Sequence, residues 1–264
     1  MGLEIEKVPK GSLGDRMKAY EMAYSGQALT DSHIMIRLDG KGFSRFTKRL
    51  IKPFDKRLTE AMVITMNHLL KVTDAKLGYT QSDEISLYIP KPEGLTEVIF
   101  GARIQKLVSL LASEATVVFN AWVQDFIPEK QGSYARFDCR VWSVPTTTVA
   151  ADAFKWRMQD CVKNSVSMTS HHIFGHKESL NKNTDEKIAA LFASGFDWHK
   201  HLDCHKFGTF AEMSREVVPI PDEVKHFPSN AGKAFTMRSV VSNFSLTQFD
   251  DIYFTLGVQN EKRQ

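Results

Sequence analysis

The sequence predicts an α+β fold in which an antiparallel sheet carries helices on one face and continues into a helical and β-hairpin C-terminal extension. The first observation is the order strand, helix, strand, strand, helix, strand over about 30–145, the split β-α-β pattern of ferredoxin-like sheets. The second is the mostly helical pattern of about 146–264, which ends in two longer strands. No repeat or clear linker separates the regions, so we expect a single domain over 1–264.

Apolar spacing defines the elements of the first region. A carboxylate at Asp55 can accept a hydrogen bond from a free backbone N–H, so this residue is expected to cap the first helix. A tight polar turn is expected at 81–84. The predicted elements are a strand at 33–38, a helix at 55–72, strands at 75–80 and 85–89, a helix at 96–122 and a strand at 135–144.

The second region is predicted to contain two helices and a hairpin. Residues 150–174 have the pattern of one long helix. Thr184 is placed to cap a shorter helix that Gly195 ends. The segments FGTFAEMSREVVPIP and KAFTMRSVVS predict the two strands of the hairpin.

Composition favours a globular protein of the cytoplasm. Apolar residues make up 42% of the chain and charged residues 25%, as in ordinary soluble domains. No uncharged apolar stretch approaches the roughly 20 residues that cross a bilayer, so we expect no membrane partner. The three cysteines are far apart and odd in number, which is typical of reduced thiols.

Carboxylates occur at two places that the predicted fold brings together. Asp39 closes the first strand, and Asp83 and Glu84 lie in the turn between the second and third strands. The first strand lies beside the third in this topology, so the two places should be close. The segment 41–57 carries seven basic residues and one acid, which suits a polyphosphate or RNA ligand.

Two carboxylates beside a basic loop suit divalent metal chemistry. Mg²⁺ prefers one or two carboxylates together with phosphate oxygens and water, and a pair of such ions can serve nucleotidyl transfer. Gly40 can turn its carbonyl to a metal, and Gly42 lets backbone amides approach phosphate oxygens. Ser82 can offer a hydroxyl, and Lys52 a positive charge, to the triphosphate of a bound nucleotide.

Five segments carry a family resemblance. They are RLDGKGFSRFTK, KPFD, GYTQSDEISL, FDCRV and WRMQDCVKNSVSM, in this order between about Ile34 and about Phe210. Together they resemble the tRNA-His guanylyltransferase family, and more closely its bacterial, archaeal and phage relatives, the guanylyltransferase-like 3′–5′ polymerases. The resemblance implies a polymerase-palm core that adds nucleotides to the 5′ end of tRNA.

The resemblance also implies a set of site residues. The catalytic carboxylates would be Asp39, Asp83 and Glu84, and two Mg²⁺ ions would be held by Asp39, the Gly40 carbonyl and Asp83. ATP, GTP or another incoming nucleotide would be contacted by Asp39, Gly40, Lys41, Gly42, Phe43, Ser44, Lys52, Ser82 and Asp83. The tRNA 5′ end or a second nucleotide would be contacted by Arg103, Lys106, Arg157, Asp160 and Asn164.

The implied reaction extends RNA from its 5′ end. First, AMP is transferred from ATP to the 5′-monophosphate of the RNA. The 3′-hydroxyl of the incoming nucleotide then displaces AMP. One metal pair could serve both in-line displacements. The eukaryotic enzymes carry His where this chain has Ser44, and His-Ile-Asn-Asn where it has residues 162–165. These departures favour template-dependent repair of shortened tRNA 5′ ends over strict addition to tRNA-His. A homotetramer, arranged as a dimer of dimers, is also implied.

Three alternatives compete with this interpretation. Other palm-type nucleotidyl transferases and nucleotide cyclases use a similar core, and a degenerate palm could bind RNA without catalysis. The intact Asp39 and Asp83 weigh against a non-catalytic RNA-binding protein. A zinc site could draw on His171, His172, His176, His199, His201, Asp203, Cys204 and His205, but these residues lack the paired spacing of structural zinc sites, and a chance histidine-rich loop is favoured.

Overall fold

The computed structural model describes Gly26, Ala28 and residues 31–92, 98–220 and 235–258. These residues form a six-stranded sheet in the order β4-β1-β3-β2-β5-β6, with every neighbouring pair antiparallel. The strands are β1 His33–Gly40, β2 Leu77–Gln81, β3 Glu84–Ile89, β4 Phe137–Val144, β5 Thr209–Pro219 and β6 Phe235–Phe244. β1 therefore lies between β3 and β4, as the predicted topology requires.

The helices follow the predicted order, with short additional helices and turns in both regions. They are α1 Phe43–Phe46, α2 Lys56–Thr73, α3 Ile104–Phe126, α4 Thr147–Phe174, α5 His176–Ser179, α6 Thr184–Ala193, α7 Asp203–Lys206 and α8 Asp251–Thr255. Three 3₁₀ turns lie at Ile99–Ala102, Pro128–Lys130 and Trp198–Lys200. The α+β fold is therefore confirmed, while the part of the predicted hairpin at 221–234 lies outside the described residues.

Helix ends differ from the prediction where caps or left-handed backbone decide them. α2 begins after Asp55, whose side chain accepts from the Arg57 N–H, as expected. α3 begins later than predicted, because Phe100 has a positive φ and breaks the helical path. Thr184 does not cap α6: Asn183 does, in a reciprocal capping box with Glu186.

The sheet is covered on both faces. Ile36 and Leu38 of β1 share one apolar core with α2 and α3. Met35 of β1 and Tyr79 of β2 lie in a second core with Phe154 of α4 and with α8. The helices of the first region thus share one face as predicted, and the C-terminal extension covers the other. Because β2 and β3 are buried along their whole length, both faces need this cover.

A cluster of aromatic rings lies under the end of β1. Phe43 contacts Phe46, Phe119 and Phe137, with ring centroids 5.3–5.5 Å apart. A Cβ atom at Gly40 would lie 2.2 Å from the Phe43 ring, so glycine is required there by packing. The aromatic cluster fixes the turn that follows Asp39 to the core beneath it.

Among the described helices, α3 alone is long and apolar enough to cross a membrane by length and composition. One face of α3, formed by Leu107, Leu111, Ala115 and Phe119, is fully buried. This face packs against α2 and β4, so the apolar character of α3 is that of a core helix.

Candidate active site

The carboxylate-bearing ends of β1 and of the β2–β3 hairpin are joined by the backbone. The Gly40 N–H donates a hydrogen bond to the Asp83 carbonyl over 3.0 Å. Gln81 pairs with Glu84, so Ser82 and Asp83 form a two-residue turn, and Ser82 has the positive φ of 50° that such turns need. The structure therefore brings Asp39 and Asp83 to one edge of the sheet.

The environment of Asp83 disfavours an isolated negative charge. Burial raises the pKa of its carboxyl above the ordinary value, and the nearby negative charge of Asp39 raises it further. The Ser82 hydroxyl opposes this rise by donating to Oδ1 of Asp83 over 3.0 Å. Two such carboxylates attract a divalent cation, and their all-oxygen character suits Mg²⁺.

The glycine turn after Asp39 exposes the side chains of Lys41 and Ser44 and buries that of Phe43. Gly42 has a φ of 71° and precedes α1, whereas Lys41 and Ser44 are exposed. The Phe43 side chain is buried in the aromatic cluster, where it holds the turn against the core. The sequence alone does not reveal this orientation, because an apolar residue beside two glycines fits either role.

A cavity of about 570 Å³ opens beside Asp83. Its walls come from the α1 turn, the loop at 50–55, the β2–β3 turn, α2, α4 and α7. Its lining includes Gly42, Ser44, Lys52, Phe54, Ser82, Asp83, Asn164, Met168, Cys204 and His205. Its volume is in the range of small-molecule and nucleotide sites.

A clamp formed by Glu129 and Lys130 holds both ends of the basic loop at 48–57. The Glu129 carboxylate accepts hydrogen bonds from both terminal nitrogens of Arg57, at 3.0 and 3.1 Å. The buried Lys130 ammonium donates to the Lys48 carbonyl over 2.5 Å and lies over the Phe46 ring. Lys52, midway along this loop, is thereby kept at the cavity.

Glu84 lies against α4 and is bound by Arg157. Its oxygens accept from Nε and Nη2 of Arg157 at 2.6 and 2.7 Å, a bidentate pair. Burial raises the pKa of Glu84, and Arg157 opposes that rise. The predicted catalytic role of Glu84 is not tested by this geometry, which shows a carboxylate already engaged by a cation.

The polar residues predicted on the long helix form one network. Nη2 of Arg157 also donates to Asp160 over 2.9 Å, and the Asn164 side chain donates to Asp160 over 3.1 Å. Asn164 reaches the cavity. The network therefore links Glu84, on the sheet, to the cavity wall.

Arg103 and Lys106 lie far from these groups within one chain. Both are exposed at the start of α3, where Arg103 donates to the Phe100 carbonyl. Phe119, further along α3, contacts Phe43, and the rise of about 1.5 Å per residue puts Arg103 about 24 Å from that contact. The structure does not gather these two residues with Asp39.

Asp138 was not identified from the sequence. It lies opposite Asp39 in the β1–β4 register, and directly opposed residues of an antiparallel pair share a face of the sheet. Arg140 lies 3.4 Å from its carboxylate. The missing signal was the register: the predicted topology places β4 beside β1, but local patterns do not show which residues of the two strands lie opposite each other.

The histidine-rich segment does not assemble a metal site. Within the described ranges, no group of three or more His, Cys, Asp or Glu side chains is placed to hold a metal ion. The His201 and His205 rings instead lie against Phe54, at centroid distances of 5.1 and 4.7 Å.

Comparisons with known proteins find related sequences. A family model described as tRNA(His) guanylyltransferase, Thg1, matches residues 14–145. An uncharacterised protein of Acanthamoeba polyphaga mimivirus is 27% identical over 281 residues, covering 98% of this chain and 96% of the viral protein. The tRNA(His) guanylyltransferase of Eremothecium gossypii is 32% identical over 215 residues, covering 75% of this chain and 89% of that protein.

Solved structures extend the similarity to the whole fold. A bacterial tRNA(His) guanylyltransferase-like protein in complex with ATP superposes with a TM-score of 0.77 at 31% identity, covering 93% of this chain and 98% of that chain. One in complex with GTP gives a TM-score of 0.72 at 30% identity, with coverage of 94% and 98%.

Replacing Arg157 should make stability depend on pH through Glu84. Arg157→Met leaves a buried carboxylate unpaired, which should lower the free energy of unfolding near neutral pH by about 3–5 kcal/mol. The pKa of Glu84 should rise further, so the folded variant binds a proton that the unfolded chain releases. Its stability relative to wild type must then fall as pH rises from the ordinary value of 4.5 through the raised one.

Urea unfolding at several pH values measures this effect. The double variant Arg157→Met/Glu84→Gln should lose the added pH dependence, because no carboxyl remains to titrate. An equal loss of stability at every pH in the single variant would contradict the assignment.

Removing the Lys130 ammonium should loosen the basic loop. Lys130→Met keeps most of the side-chain volume but leaves the Lys48 carbonyl without its donor, at a cost of about 1–3 kcal/mol. We expect faster amide hydrogen exchange at 48–57 and unchanged exchange in β1 and β3. Lys177→Met, at an exposed lysine, should change neither; protection at 48–57 equal to wild type would refute the clamp.

Proposed function

Because the chain belongs to the tRNA(His) guanylyltransferase family, we propose that it is a nucleotidyltransferase that adds nucleotides to the 5′ end of tRNA in the 3′–5′ direction. The observation that carries this proposal is the meeting of Asp39 and Asp83 at the sheet edge, beside a cavity of nucleotide size. The preferred substrates are tRNAs with shortened 5′ ends, since Ser44 and residues 162–165 depart from the strict tRNA-His enzymes.

ATP and GTP are the proposed nucleotide substrates. Related bacterial proteins have been solved in complex with each. In this chain the triphosphate would lie along Gly42, Ser44, Lys52 and Ser82, where the backbone is open and the nearby loop is basic. Lys52 would supply positive charge, and the absence of a side chain at Gly42 would let backbone N–H groups approach the phosphates.

Two Mg²⁺ ions are the proposed cofactors, held by Asp39, the Gly40 carbonyl and Asp83. The residues fit, because both carboxylates offer oxygen ligands, and a cation would favour the ionised form of Asp83, whose pKa is raised by burial and by the charge of Asp39. When bound, the ions would neutralise phosphate charge and activate the attacking hydroxyl. The Ser82 hydroxyl would keep the Asp83 carboxylate oriented through its hydrogen bond to Oδ1.

The proposed reaction has two displacements. An oxygen of the tRNA 5′-phosphate attacks the α-phosphorus of ATP, which forms a 5′–5′ linkage to AMP and releases pyrophosphate. The 3′-hydroxyl of the incoming nucleotide then attacks the same 5′-phosphorus, and AMP leaves. The new 5′ end carries the triphosphate of the incoming nucleotide.

The remaining polar groups are assigned to the RNA. Asn164 lies near enough to the cavity to contact a second nucleotide or the 5′ end, and Arg157 and Asp160 hold it in place. Arg103 and Lys106 would contact tRNA that is bound at the carboxylates of another copy, given their distance within one chain. A tetramer provides such an arrangement.

We propose a homotetramer in the cytoplasm. Val217 and Met237 face each other in the β5–β6 register and are exposed although apolar, which suits contact with another copy. Cys139, Cys161 and Cys204 are free thiols, as expected in a reducing compartment.

The proposal is tested with 5′-truncated, 5′-labelled tRNA incubated with ATP, GTP and Mg²⁺. Wild-type protein should give an adenylylated intermediate and a longer product. Asp83→Asn keeps the size of the side chain but removes its charge, and it should lower the rate by at least about a hundredfold, typical for loss of an electrostatic catalytic group.

Asp125→Asn, which neutralises an exposed carboxylate on α3, is the matched control and should keep full activity. Cyclic product from free nucleotide would identify a cyclase, and tRNA binding without any product would identify a non-catalytic RNA-binding protein. Either result would overturn the proposal.

A further inference from the structure

A buried histidine without polar partners lies in the wall of the cavity. His205, on α7, is 7% exposed and lines the cavity together with Phe54, Met168 and Cys204. Among the described residues, neither of its ring nitrogens has a hydrogen-bond partner. A buried polar group in this state costs free energy comparable to a lost hydrogen bond, so folded proteins seldom keep one without use.

The position of the His205 ring is fixed by its neighbours. The ring stacks on Phe54 with centroids 4.7 Å apart and planes 20° from parallel. The next residue, Lys206, donates to the His199 carbonyl over 2.7 Å and pairs with Asp203 at 3.0 Å, which secures α7. The stacked ring therefore belongs to the same wall as Lys52, two residues before Phe54.

The charge state of His205 decides which part of a nucleotide it suits. Burial lowers its pKa to about 4, and the nearby His201 and Lys56 lower it as well. The ring is thus neutral near pH 7, with one N–H donor and one acceptor nitrogen. Phosphate oxygens can only accept and are drawn to cations. A nucleobase edge, in contrast, offers both a donor and an acceptor.

We propose that His205 contacts the base of the nucleoside triphosphate in this cavity and contributes to the choice of base. The inference rests on the proposed function, which places the triphosphate at Gly42, Lys52 and Ser82 of the same cavity. The apolar surfaces of Phe54 and Met168 would flank the base. Both ring nitrogens of His205 are buried in this structure, so the ring would turn about its Cβ–Cγ bond, with its plane kept against Phe54, to supply the polar contact.

Equilibrium binding of GTP, ATP, CTP and UTP, and of inorganic tripolyphosphate, tests this assignment in Mg²⁺ buffer without tRNA. His205→Phe keeps a ring against Phe54 but removes both nitrogens. The best-bound nucleotide should bind about tenfold more weakly, the loss expected for roughly one buried hydrogen bond, and the four affinities should converge. Tripolyphosphate should bind as it does to wild type, because it has no base.

The matched control is His172→Phe, at an exposed histidine of α4, which should keep every wild-type affinity. Unchanged nucleotide affinities in His205→Phe, or an equal loss for tripolyphosphate, would overturn the inference. If that variant does not fold, histidine NMR of the wild-type protein decides. The His205 ring signals should move with GTP and stay with tripolyphosphate, and any other pattern contradicts the contact.

These outcomes separate the inference from the function on which it rests. If the wild-type protein transfers nucleotides to tRNA and His205→Phe keeps the wild-type nucleotide affinities, only the base contact is contradicted. Base-dependent binding without any transfer would contradict the proposed function alone.

Discussion

The hydrogen bond from the Gly40 N–H to the Asp83 carbonyl is the contact on which the site depends. It joins the end of β1 to a turn of only two residues. A one-residue slip of the β1–β3 pairing would move every core side chain of β1 to the opposite face. Asp39 and Asp83 are near each other for this reason. A cation bound between them would offset the negative charge of the two carboxylates.

Two ion pairs lie in the elements around this contact. Arg157 engages Glu84, and Glu129 engages Arg57, so these four charges are compensated by one another. Such pairs add little net stability but are costly to break. Their effect is to fix the orientation of α4 and of the basic loop. Lys52, Asp39 and Asp83 are not part of these ion pairs and can contact a ligand.

The sequence was sufficient for the elements that local patterns encode. The strand ending at Asp39, the turn at Ser82 and the Asp55 cap were all predicted, because spacing, turn chemistry and capping act over a few residues. The pairing of Glu84 with Arg157 was not, since it joins groups 73 residues apart. Asp138 was missed for the same reason, and the inward Phe43 because its packing depends on Phe119 and Phe137.

The most direct test of the cation site is the pKa of Asp83, measured by carboxyl-carbon NMR with and without Mg²⁺. Burial and the charge of Asp39 should make Asp83 titrate above the ordinary value of 3.8 in Mg²⁺-free buffer, and added Mg²⁺ should lower its apparent pKa. Titration at or below the ordinary value, with no response to Mg²⁺, would contradict the claim that these carboxylates form a cation site.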